Sequence, residues 1–415
     1  MNHALANEAA IGNASRRRLF RNLRDLAVGV AVLLACTNVF ARDEAMSLRT
    51  VPKIGRGLDE RIEMVSAVFD ADPQGMGLTW EPNEKCSDEV ALDLAQNRFR
   101  SMVSDRRDWL NERRRKLSPF LGDDPVYVQT RFFELTFDMD GVKAGKKRLG
   151  RVASAILYAE RLEDYVNHVL ATVGIEPRGL RRDRRHQVFL LDEAEAAKTV
   201  THEILGNTMG SGFKSSMVGY DLSGVVLWDH PDHISSDEEF HQVLVHCLAH
   251  NIYHDIGPFN HWLYEEHGWL YEGLSYYEEI MMFGPPITTC NPASSLDFKH
   301  WQTPYWEANI RKALKSRREY TPEQVLAHGV KTMNAKHIQF GWSYVDFLLW
   351  YDATKMDDLI VKTKGDGMSS ADAIQEVYGF DLATFDAEWR KFVIAEYSTR
   401  PRKGKTPPRS PRGKR

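Results

Sequence analysis

The chain has 415 residues, 43% of them hydrophobic, with 54 Lys and Arg against 58 Asp and Glu and a net charge of -4. That length and apolar content allow a large core and at most two domains. The first 41 residues hold five arginines against two acids, and the last 17 hold eight basic residues and no acid. The body between them is therefore strongly acidic, which argues against general nucleic-acid binding.

At the start, Arg16, Arg17, Arg18, Arg21 and Arg24 precede an apolar stretch, Leu26–Ala41, that is short for a membrane span. With Val39-Phe40-Ala41 at the cleavage positions, residues 1–41 read as an export signal whose removal leaves Arg42 first. The protein would then be periplasmic or secreted. Ser15-Arg16-Arg17-Arg18-Leu19-Phe20 is close to a twin-arginine signal, which suits export of a folded protein. The alternatives are an uncleaved anchor helix and lipid attachment at Cys36. Beyond the signal stand Cys86, Cys247 and Cys290. An odd count in an exported chain implies one bridge and one free thiol, or no bridge. Cys86 with Cys290 is the pairing that leaves Cys247 free.

Residues 42–124 read as a lead-in, irregular up to Cys86 and then a charged amphipathic helix through Lys116. From 125 the pattern gives a strand over 126–139, a helix over 148–172 and a strand at Gln187–Leu191. Asp192 then caps a helix through Leu205, and a further strand runs over Val218–Trp228. Inside the Asp192-capped helix, His202-Glu203 lacks a second histidine, because Gly206 stands at that position. Residues 399–415 are basic and Pro-rich and read as a solvated, disordered tail; contact with anionic envelope polymers is its functional alternative.

The densest chemistry lies in 236–284. His246 and His250 are four residues apart, which on a helix puts both imidazoles on one face. Ser236 and Glu239 form a capping box, Phe240, Val243, Leu244, Cys247 and Leu248 give an apolar stripe, and the helix should stop before Gly257-Pro258. A second helix opens near Trp269-Leu270, carries Glu272 in its first turn and ends at Gly284-Pro285-Pro286. Two imidazoles and one carboxylate suit Zn2+, one per chain, with the fourth position open to water. The spacing alone is weak, because fifteen histidines give on the order of one such pair by chance. His254 forms a second pair with His250 and is an alternate ligand. The competing reading is packed histidines without metal.

Trp269-Leu270-Tyr271-Glu272-Gly273-Leu274-Ser275-Tyr276-Tyr277, following His246-Cys247-Leu248-Ala249-His250, resembles the gluzincin metallopeptidases. Their signature is H-E-x-x-H followed by a W-L-x-E-G helix. The element order and two later segments, Phe340–Leu348 and Phe385–Phe392, resemble the exported peptidase-MA-like members of that group over about residues 125–397. The resemblance implies an α+β fold, a small sheet packed on a mostly helical domain over 125–398. It also implies His246, His250 and Glu272 as metal ligands.

The departure from the pattern is Cys247, at the place of the glutamate that serves as general base in the active family. A thiol is a poor substitute. General acid–base catalysis is worth about 10²–10⁴-fold, so peptide hydrolysis should be nearly silent. Cys247 reads better as a small buried apolar residue than as a nucleophile, since both nearby histidines are assigned to metal. Glu265, Glu266, Glu278 and Glu279 are the acids from which a substitute base could come. Tyr344, Tyr276 and Tyr277 are either oxyanion donors or core aromatics. The expected function is an exported zinc-metallopeptidase homologue with hydrolysis impaired or lost, binding a peptide or protein. The alternatives are a working zinc hydrolase with another base and a metal-free structural envelope protein.

Overall fold

The computed structural model describes residues 78–79 and 111–398, apart from breaks at 122–124, 131, 145–146, 174–184, 208–213, 219–221, 230–233, 258–262, 289–305, 318–319 and 366. The residues read as an export signal, Cys86 and Cys290, and the basic tail lie outside the described residues. The fold is α+β, a mixed six-stranded sheet backed by helices. Its strands are β1 (Leu78–Thr79), β2 (Val126–Gln129), β3 (Phe133–Asp138), β6 (His186–Leu191), β8 (Ser223–Trp228) and β7 (Lys214–Val218), in that spatial order. A separate ribbon pairs β4 (Lys143–Ala144) with β5 (Lys147–Arg148). β3, β6 and β8 are parallel; β2 is antiparallel to β3 but parallel to β1, and β7 is antiparallel to β8.

Alternation along the strands separates two faces. Phe133, Leu135, Phe137, Val188, Leu190, Val225 and Leu227 point into the main core. Helices α1 (Arg151–Thr172) and α3 (Asp237–Asp255) pack on the sheet, and α1 also touches α3. Glu134, Thr136 and Gln187 line the other face. There Arg113, on a helical stretch over 111–117, reaches Glu134 Oε2 at 2.9 Å, Gln187 Oε1 at 2.6 Å and Thr136 Oγ1 at 2.8 Å. Both β1 and Arg113 come from the expected lead-in, so that segment contributes to the sheet. Helix α2 (Ala194–Glu203) packs on β6 and β8.

The C-terminal half is helical: α4 (Leu263–Glu266), α5 (Gly268–Phe283), α6 (Trp306–Ser316), α7 (Pro322–Leu326), α8 (Ala335–Asp352), α9 (Met356–Gly365), α10 (Ser370–Tyr378) and α11 (Leu382–Glu396). Helix α5 lies between α3 and α8. Glycine lets it approach α8 closely: a Cβ at Gly273 would stand 2.9 Å from Gly341 O and 2.8 Å from Val345 Cγ2. The glycine of the W-L-Y-E-G segment is therefore a packing residue that seats α5 closely on α8.

Three local expectations are corrected. The strand read over 126–139 is a hairpin, turned where Thr130 N donates to Phe133 O (2.8 Å) and Phe133 N to Thr130 Oγ1 (3.0 Å). Over Val218–Trp228 the strand is β8, starting at Ser223, and Val218 ends a separate antiparallel strand, β7, that the reading missed. The cap of α2 is Glu193 rather than Asp192, and no side chain bonds there.

Candidate metal centre

Helix α3 starts where Ser236 Oγ accepts from Glu239 N at 3.2 Å. The second half of the expected box is displaced by one residue, since Glu239 accepts from Ser235 N at 2.7 Å. At the other end, the buried Lys364 donates to the carbonyls of His254 and Ile256. That holds a cation against the negative end of the helix. Nearly every residue of α3 is buried, so the histidines sit on a fixed frame.

Helix α5 presents Glu272, Ser275, Tyr276 and Glu279 as one stripe, the spacing of a single helical face. It meets α3 in antiparallel fashion. His250 Nδ1 lies 2.8 Å from Ser275 Oγ, and His246 Nδ1 lies 2.8 Å from Glu279 Oε2, at ion-pair distance though off the line of a good hydrogen bond. Tyr271 stacks on the His250 ring at 4.0 Å, and Tyr276 meets the His246 ring edge-on at 4.5 Å. With both Nδ1 atoms held from α5, both Nε2 atoms face Glu272: His246 Nε2 is 3.9 Å from Oε2 and His250 Nε2 is 3.9 Å from Oε1.

His246, His250 and Glu272 therefore form a buried group that could hold a metal ion, with one ligand atom from each lying within 4.8 Å of the others. The residues fit a metal on three counts. Both Glu272 oxygens are buried with no hydrogen-bond partner among the described residues, a costly state that a bound cation would relieve. Burial, and then the Lys214 charge, hold the His246 imidazole well below its usual range; burial, His246 and Lys214 do the same for His250. Both rings are thus neutral, with lone pairs available. Finally, tetrahedral bonds of about 2.0–2.1 Å separate neighbouring ligand atoms by about 3.4 Å, so closing from 3.9 Å needs only a small inward shift. Without a cation, burial pushes the Glu272 carboxyl up to about 8.

The remaining candidates separate clearly. Cys247 is 2% exposed, stands outside the three-residue ligand group, and burial raises its thiol above the usual range. It is a buried thiol, not a thiolate. His254 is buried on the same helix and outside the group. Glu279 Oε1 accepts from Gln242 Nε2 (3.0 Å), Ile287 N (2.7 Å) and Thr288 N (3.0 Å), which makes it a support for His246. Glu278 accepts from Tyr253 Oη of α3 at 2.5 Å and lies 2.9 Å from His168 Nε2 of α1. Glu265 and Glu266 are exposed. Tyr344 is buried among Phe340, Phe385 and Trp389, with its hydroxyl donating to Tyr320 O at 3.3 Å. The Tyr276 hydroxyl donates to Thr288 O at 2.7 Å, and Tyr277 is buried. His202 is exposed, beside Glu203.

Sequence reasoning missed Ser275, Gln242 and Lys214. The first was legible, being three residues beyond Glu272 on the same helical face. Lys214 was not, because only strand pairing brings β7 beside α3.

No family model matches the chain, and no curated protein matches it. A solved structure of a functionally unknown conserved protein from Bacillus anthracis str. Ames is similar at 11% identity and a TM-score of 0.36, covering 68% of this chain and 51% of that one. This chain thus spans about half the length of that protein.

Proposed function

We propose that the protein binds one zinc ion through His246, His250 and Glu272, and that it is a metallopeptidase-like protein whose hydrolysis is impaired or lost. Its site would serve to hold a peptide or protein. One observation carries this reading: the ligand set is complete and supported from behind, while the position of the expected base holds a buried, protonated thiol. Zinc is favoured by the donor set, two neutral imidazoles and a carboxylate. Bound there, the ion would supply Lewis-acid polarisation of a ligand oxygen. The chain's own residues hold the two rings and keep their Nε2 atoms free of protons. None of the acids weighed as a substitute base is placed for that work. Glu279 and Glu278 are committed to other partners, and Glu265 and Glu266 lie on the surface. Export to the periplasm or beyond belongs to the same proposal and rests on the arginine-rich start of the chain.

The test uses protein purified without chelator, wild type and two variants, against a mixed peptide library. Elemental analysis should find about one zinc per chain. Wild type and Cys247→Ser should be silent, and Cys247→Glu should gain chelator-sensitive cleavage, recovering part of the about 10²–10⁴-fold that a general base provides. Chelator-sensitive cleavage by the wild type would overturn the impaired reading. Absence of metal after refolding in excess zinc would overturn the centre itself.

A further inference from the structure

A second group of buried polar atoms, drawn from α1, α3 and α5, stands apart from the three ligands. Glu278 leaves α5 on a different side from Glu272, since six residues along a helix turn about 240°. Its side chain is fully buried. Tyr253 Oη of α3 donates to Oε1 at 2.5 Å and fixes the carboxylate. The other oxygen, Oε2, lies 2.9 Å from His168 Nε2 of α1, off the line of a hydrogen bond, and neither atom has a hydrogen-bond partner among the described residues. Tyr165, three residues before His168 on α1, has its ring stacked along the imidazole at 6.5 Å. Its hydroxyl is buried and also without a partner among the described residues. Burial, and then the Glu278 charge, hold that phenol well above its usual range. His168 is the part of the group that reaches solvent, with 16% of its side chain exposed against none of Glu278.

Three buried polar atoms without hydrogen bonds, gathered in one place, are costly unless something joins them. A plain His–Glu pair does not account for them. Its ring N–H would lie along the line to Oε2, and the Tyr165 hydroxyl would still be left out. The spacing indicates what fits. Octahedral bonds of about 2.0–2.1 Å separate neighbouring ligand atoms by about 2.9 Å, the separation of His168 Nε2 and Glu278 Oε2. Tetrahedral zinc needs about 3.4 Å. The imidazole favours a transition metal over magnesium or calcium, and the oxygen donors favour the manganese end of that series. We propose that His168 Nε2 and Glu278 Oε2, with the Tyr165 hydroxyl beside them, form a second cation site, for a six-coordinate divalent ion of the manganese(II) or iron(II) class. Solvent completes the shell along the exposed edge of His168. The ion joins α1 to α5, and Glu279, which supports His246, directly follows its carboxylate ligand in the chain. This site does not depend on the zinc reading above.

The test titrates the full chain with manganese(II) after saturation with zinc. Wild type, Glu278→Gln, His168→Gln, Tyr253→Phe and Glu272→Gln are compared. Bound ion is read from the loss of the free manganese signal in electron paramagnetic resonance, and frozen samples report coupling of the bound ion to an imidazole nitrogen. The thermal midpoint without metal shows whether each variant folds. Wild type and Glu272→Gln should each bind about one manganese ion with nitrogen coupling. Glu278→Gln and His168→Gln should lose that binding; if Glu278→Gln does not fold, His168→Gln, at the exposed edge, decides. Tyr253→Phe, which removes the group behind the carboxylate, should weaken binding by about 10–100-fold. Binding lost in Glu272→Gln but kept in His168→Gln would put the ion at the first centre and overturn the proposal. No binding by the wild type, or equal binding by every folded variant, would also overturn it and leave an ordinary His–Glu contact. Failure of the wild type to take up zinc defeats the zinc reading alone, and the second site is then judged from Glu272→Gln.

Discussion

Glu272 and Glu279 stand two turns apart on one face of α5, and both are fully buried. Glu279 has three donors on one oxygen and the His246 ring beside the other. Glu272 has no donor at all among the described residues and faces two imidazole nitrogens. Burial pushes both carboxyls up, Glu279 to about 7 and Glu272 to about 8. Two like residues in one kind of environment are thus put to different uses. The satisfied carboxylate supports the His246 ring, and the unsatisfied one belongs to the buried group that could hold a metal ion. A buried carboxyl without donors is costly to ionise, and a bound cation would relieve that cost.

The largest effect should come from Glu272→Gln. At neutral pH the metal-free acid is already protonated, so the amide is nearly its isostere and the metal-free melting midpoint should hardly move. Zinc binding should be lost, and with it the rise in midpoint that zinc gives the wild type. Calorimetry with and without zinc checks both halves. A large fall in metal-free stability would contradict the ligand role.

Glu279→Gln should act next, and differently. Its carbonyl can keep the three donors, but its amide N–H faces His246 Nδ1. The ring proton then moves to Nε2, the atom needed for the metal. Zinc affinity should fall by about 10–100-fold, the usual cost of losing such a supporting group, with the fold intact. Competition against a chelating dye measures it, and unchanged affinity would show that His246 is not a ligand.

The pH dependence sharpens the same contrast. Above pH 6.5, the ordinary histidine value, neutral His246 and His250 no longer favour either state. Glu272 remains protonated in the metal-free fold up to about 8 but ionised in the unfolded chain, whose value is 4.5. The fold therefore binds the extra proton, and its stability should fall as pH rises from 6.5 to 8, by about 2 kcal/mol. Glu279 adds to this only up to about 7. Saturating zinc, or Glu272→Gln, should remove most of the slope in urea titrations. A slope that persists in Glu272→Gln would place the responsible group elsewhere. The smallest effect should be that of Tyr344→Phe, which removes one long hydrogen bond in an aromatic cluster. It should cost less than about 1 kcal/mol and leave zinc affinity unchanged; a change in metal or ligand binding would return Tyr344 to the site.

The two site helices were legible in the sequence because their signals are local. The i, i+4 histidines, the Ser236 cap, the apolar stripe of α3 and the Gly284 stop each act within a few residues. The sheet was read less well. The strand reversals at Thr130 and between β7 and β8 fall at short polar interruptions, Gln129-Thr130-Arg131 and Gly219-Tyr220-Asp221, which lack the strong turn dipeptides that mark a hairpin. The sequence by itself determined the donor set and its helical frame, since those depend on spacing along one helix and the next. It also determined that a thiol stands in the place of the expected base. Only the tertiary structure decided which of the α5 acids is left without donors, that Tyr344 belongs to the core, and that β7 lies beside the histidine helix. Those facts depend on which segments pair across long separations, and pairing is set by the burial of whole faces rather than by any local pattern.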